Sequence, residues 1–153
     1  MADSSYVQIV LHLNEPEMSD ERLESLSQSL LQEFRERDEV ERVSRVIDPN
    51  PPIGNMAGGG YLPGWLKVEV TLPNIIAFVR FLGDRLINKT FELEVEYKDK
   101  EITKIKAKGS SREDIKALLE EAKSVIKPEV EIIRVVIESA EEARAAIEPT
   151  TRD

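Results

Sequence analysis

The chain has 153 residues, enough for a single domain that buries about two-thirds of its unfolded surface. It contains no cysteine, which excludes thiol catalysis, thiolate metal sites and disulfides; 30 acidic against 21 basic residues give a net charge of −9, which repels a nucleic-acid backbone. No basic segment followed by an apolar run opens the chain, and no uninterrupted apolar stretch is long enough to cross a bilayer, so a cytoplasmic protein with no membrane partner is expected.

Tyr6 to Leu13 is rich in β-formers and predicts a first strand ended by Asn14-Glu15-Pro16. Ser19 then suits an N-cap, with Asp20 and Glu21 in the first turn, and Leu23, Leu26, Leu30 and Phe34 recur at helical spacing until about Arg37-Asp38. Arg42 to Ile47 predicts a short strand. An irregular segment from Pro49 to Gly64 follows, holding four of the eight prolines and five of the seven glycines. Trp65 to Val70 reads equally as a strand or as a backward extension of the next helix. Pro73 sits in the first turn of that helix, whose apolar face is Ile75, Ile76, Val79, Leu82 and Leu86.

Phe91 to Tyr97 alternates strictly, and Ile102 to Lys108 answers it with lysines at 104, 106 and 108. Setting Glu96, Glu94 and Glu92 against Lys104, Lys106 and Lys108 puts Val95 opposite Ile105 and leaves Asp99-Lys100-Glu101 as the loop. An even loop would send every side chain to the wrong face. Ser110 and Glu113 fit a capping box for a helix carrying Ile115, Leu118, Leu119, Ala122 and Val125, and Pro128 stops it. From Glu129 to Glu148 propensity favours strand, but Glu131, Arg134, Glu138 and Glu141 fall at helical spacing, so a C-terminal helix is expected. The expected fold is α+β: a mainly antiparallel sheet with helices on one face, in the order β-α-β-loop-α-β-β-α plus C-terminal helix. Residues 1–128 would form the domain and 129–153 a helical extension.

The inventory for catalysis is thin. Gly58-Gly59-Gly60-Tyr61-Leu62-Pro63 begins like a dinucleotide fingerprint but places Pro63 at its last glycine. His12 is the only histidine, on a strand face with Tyr6, Gln8 and Val10, and any imidazole chemistry must use it. No carboxylate motif for a metal occurs. No enzyme activity, cofactor or metal is expected.

The segment Pro52-x-Gly54-x-x-x-Gly58, the apolar run from Leu66 to Leu86, and the passage from Glu92-Leu93-Glu94 through Ile105 to Ser111-Arg112-Glu113-Asp114-Ile115 together resemble the effector-associated constant component family, small accessory proteins of bacterial conflict systems. The resemblance spans about residues 6 to 126. It implies a non-catalytic adaptor or sensor that binds a protease-like or NTPase-like effector or switch protein. The alternative is a regulatory domain that binds a small molecule at the loop 49–64. Candidate partner-binding residues are Gly54, Gly58, Gly59, Gly60, Tyr61 and Trp65 at the loop. Ile133 and Ile137 join them from a tail stripe that must dock on its own domain, on a second copy as a homodimer, or on the effector.

Overall fold

The computed structural model describes residues 6–49, 60–86 and 88–139. Its elements are β1 (Tyr6–Asn14), α1 (Asp20–Arg35), β2 (Val40–Ile47), β3 (Tyr61–Thr71), a 3-10 turn (Leu72–Asn74), α2 (Ile75–Arg85), β4 (Lys89–Tyr97), β5 (Ile102–Lys106), α3 (Arg112–Val125) and β6 (Val130–Ser139). The six strands form one mixed sheet in the order β2-β3-β1-β6-β4-β5, in which β1 and β6 run parallel and every other pair is antiparallel. The fold is α+β. Because β1 and β2 both oppose β3, they are parallel to each other; the same holds for β5 and β6 about β4. The sheet therefore joins two split β-α-β units, β1-α1-β2 around β3 and β5-α3-β6 around β4.

The largest departure from expectation is β6. Residues 130–139 are a strand in the middle of the sheet, not part of a helical extension, with β1 on one side and β4 on the other. Ile133, Val135 and Ile137 face the core, while Ile132 and Val136 lie on the opposite face. Ile132 and Val136 place apolar residues on the outer face as well, between Arg134 and Glu138, so the alternation of β6 is blurred. A register shift at Glu96/Tyr97 also turns Val130 inward out of phase, and the remaining polar residues mimic a helical repeat. Residues 140–148 of the expected helix lie outside the described residues.

Tyr61 to Gly64, read above as the end of the irregular segment, opens β3, which settles 65–71 as strand. Along β1 the alternation of Val7, Ile9, Leu11 and Leu13 supplies the inner face, matched on β3 by Leu66, Val68 and Val70 and on β4 by Phe91, Leu93 and Val95. The helices cover this face. Phe34 of α1 meets Phe78 and Phe81 of α2 edge-on, with ring centroids 5.1 and 6.0 Å apart. Ile115, Leu118, Leu119 and Ala122 seat α3 beyond them, and the Tyr97 hydroxyl donates to the Val125 carbonyl at 2.7 Å to fix its end.

The starts of α1 and α3 are capped by serine. Ser19 accepts from the Arg22 N–H as expected; the second cap is Ser111 with Asp114, one residue beyond the Ser110–Glu113 box read from sequence. The β4–β5 loop is also displaced by one, to Lys98-Asp99-Lys100, with Lys100 at φ +77° and Asp99 accepting from the Glu101 N–H. Its odd length keeps the expected faces, but the register moves by two. Glu92 opposes Lys106, Glu94 opposes Lys104, and Val95 opposes Thr103 instead of Ile105.

Two changes test this arrangement. A chain ending at residue 129 lacks a strand paired on both sides and should show no cooperative thermal transition; an unchanged melting curve would contradict the topology. Gly83→Ala would place a Cβ 2.7 Å from the Ile115 methyl at the α2–α3 contact, and should cost about 1–3 kcal/mol in denaturant unfolding.

Candidate protein-binding surface

Every helix sits on one side, so the other face of the sheet has no covering layer among the described residues. Its rows follow from the register. Trp65, His12, Val136, Glu92 and Lys106 form one row across the strands, and Lys67, Val10, Arg134, Glu94 and Lys104 form the next. A third row runs through Glu69, Gln8, Ile132, Glu96 and Ile102. The middle of this face is mixed, with half-buried Val10, Ile132, Val136 and the stacked pair His12–Trp65 interleaved with Lys67 and Arg134. Those two rings lie 3.9 Å apart at 15°.

Charge reaches every row: Lys67 and Glu69 stand on β3, and Arg134 on β6 bridges Glu94 at 3.2 Å and Glu96 at 3.0 Å. Burial pushes the His12 pKa below its usual value, and the Glu138 carboxylate only partly offsets this. The ring is accordingly neutral near pH 7. Among the described residues no group of three or more His, Asp or Glu side chains could hold a metal ion.

A second feature lies on the helix side, where β2 and the start of β3 meet α1. Arg45 grips Glu24 with both terminal nitrogens, at 2.6 and 2.7 Å, and the two side chains are only 8% and 10% exposed. Gln28 donates to the same carboxylate at 2.9 Å, and the guanidinium lies 5.1 Å from the Tyr61 ring. Burial opposes ionisation of Glu24. Hydrogen bonds from Arg45 and Gln28, and the charge of Arg45, outweigh it and hold the carboxyl below the usual range. The buried Arg45 Nε finds no hydrogen-bond partner among the described residues. Beside this pair the Gly64 N–H donates to the buried Ser27 hydroxyl at 2.7 Å. At φ +87°, with Leu23 and the Leu13 carbonyl about to touch any Cβ, only glycine fits there.

Of the residues expected to bind a partner, Gly54, Gly58 and Gly59 lie outside the described residues. Gly60 is a turn glycine at φ +90° whose carbonyl accepts from the Asp48 N–H at 2.8 Å. Tyr61 and Trp65 make no common aromatic surface, because Tyr61 lies over Arg45 beside α1 while Trp65 stacks on His12 on the open face. Ile133 and Ile137 are fully buried core residues and cannot contact a partner. Sequence reasoning missed Val10, Ile132 and Val136. Their exposure follows only from knowing that β1 and β6 are neighbours. A cleft of about 320 Å³ between α2 and α3, edged by Arg80, Asp84 and Arg112, was equally hidden, because its walls come from separate segments.

Removing the Glu24 carboxylate leaves Arg45 charged and buried, so Glu24→Ala should cost about 3–5 kcal/mol in denaturant unfolding. Since folding lowers the Glu24 pKa, the pair's contribution is complete above the ordinary carboxyl value of 4.5 and fades as pH falls through the lower folded value. Wild type should therefore lose stability on acidification in that range more steeply than Glu24→Ala. Parallel curves would remove Glu24 as a source of acid sensitivity.

Compared with protein-family models, with curated proteins and with solved structures, the chain matches none of them.

Proposed function

We propose that this chain is a non-catalytic adaptor that binds an effector or switch protein of a bacterial defence or signalling system. The observation that carries the reading is the sheet face that no described element covers, on which Val10, Ile132, Val136 and Trp65 are interleaved with Lys67 and Arg134. A face that mixes apolar, aromatic and arginine side chains has the composition of a protein-binding surface. The stacked His12 adds support, because its ring is packed flat against Trp65. The resemblance to the effector-associated family supplies the partner class, a protease-like or NTPase-like protein.

Val10→Glu tests the reading with little risk to the fold, since the new carboxylate would stand directly between Lys67 and Arg134. The tagged chain expressed in a bacterial host encoding it should capture a protease-like or NTPase-like protein, and Val10→Glu should weaken that capture by at least about tenfold with unchanged melting. Failure to capture such a protein, or equal capture by both forms, would count against the adaptor. Stabilisation by nucleotides or amino acids instead would favour the small-molecule reading.

A further inference from the structure

We propose that the cleft between α2 and α3 binds a free α-amino acid with an apolar side chain, at a site separate from the open sheet face. The cleft holds about 320 Å³, at the lower end of the range for small-molecule sites. Its base is apolar and closely fitted. Leu86, Ile115 and Leu119 are buried there, and Gly83 lets the two helices approach until any Cβ would stand 2.7 Å from the Ile115 methyl. Residues of α2 form one wall and residues from the N-terminal half of α3 the other, so the width of the cleft is set by helix packing.

Charge decides the class of occupant. The Arg112 guanidinium on α3 lies 3.8 Å from the Asp84 carboxylate on α2, near enough for an ion pair and too far for a hydrogen bond. The two side chains are 70% and 63% exposed, so water competes for both and little holds them together. An ammonium and a carboxylate borne on one carbon can enter between them. The ammonium then donates to Asp84 and the carboxylate accepts two hydrogen bonds from Arg112, which replaces one loose pair by two bonded ones. Arg80 and Lys116 stand one helical turn from Asp84 and Arg112 on the same walls, and Glu113 adjoins Arg112. Both signs therefore line the mouth, and neither a simple anion nor a simple cation is matched throughout. Lys89 also lines the cleft, but its ammonium is engaged by the buried Glu15 carboxylate at 2.5 Å. The apolar base receives the side chain of the amino acid.

Calorimetric titration of the full chain with L-leucine tests the site. Leucine should bind with a Kd of about 1 mM or tighter, and isocaproate, isoamylamine and glycine, which lack the ammonium, the carboxylate and the side chain in turn, should each bind at least about tenfold more weakly. Asp84→Asn and Arg112→Gln should each weaken leucine binding by a similar factor and, being exposed, melt like wild type without ligand. Leucine should shift the amide resonances of Gly83 and Ile115. The proposal is overturned if leucine does not bind, if isocaproate or isoamylamine binds as well as leucine, if both variants keep full affinity, or if the resonances that move lie on the open face or at the α1–β2 corner. The site does not depend on the adaptor reading: leucine binding without capture of a partner counts only against the adaptor, and capture without leucine binding counts only against this site.

Discussion

The parallel pairing of β1 with β6 is the constraint on which the rest of the molecule depends. Each half of the chain makes a three-stranded unit, β2-β3-β1 or β6-β4-β5, with a helix crossing over one face. Neither unit is a closed layer. Joining the ends of the chain through Gln8 to Asn14 and Ile132 to Glu138 makes one sheet and one continuous core. The contact is between segments more than a hundred residues apart, so it requires both halves to be largely in place before it repays the entropy of closure. It also sets which residues lie at the centre of the uncovered face.

That centre has an unusual balance. The core face of the central strands is entirely aliphatic, as the helices demand, but the outer face is neither fully polar nor fully apolar. Val10, Ile132 and Val136 are half-buried by neighbours within their own layer, and the His12–Trp65 stack shields further area. The Glu/Lys rows of β4 and β5, Arg134 on β6 and Lys67 and Glu69 on β3 carry the hydration of this face. A sheet of this kind tolerates water while still gaining from a partner that covers its middle.

The α1–β2 corner has the opposite character, with its polar groups drawn inward. A buried bidentate ion pair contributes geometry as well as energy: Arg45 and Glu24 fix the azimuth of α1 on the edge strand, and the Ser27–Gly64 hydrogen bond fixes it again a few residues along. Replacing such a pair by apolar side chains can be neutral for stability, but it would remove one of the two polar contacts that set the azimuth of α1.

What the sequence determined by itself was local. Ser19 capped α1 where its side chain could reach the Arg22 N–H; the alternation of β1 and β4 assigned faces that the structure keeps; and the odd loop after Tyr97 preserved parity even though Asp99 and the left-handed Lys100 moved the register by two. The absence of thiols and the solitary histidine narrowed the chemistry. Tertiary structure alone decided β6, because a strand with Ile132 and Val136 on its outer face and a bulge at one end shows no clean period of two until β1 and β4 flank it. It likewise decided that Ile133 and Ile137 are core, that Tyr61 and Trp65 part to opposite faces, and that Val10, Ile132 and Val136 share a surface. Those properties belong to which segments lie side by side, and strand neighbours distant in sequence leave no trace in the spacing of residues within either segment.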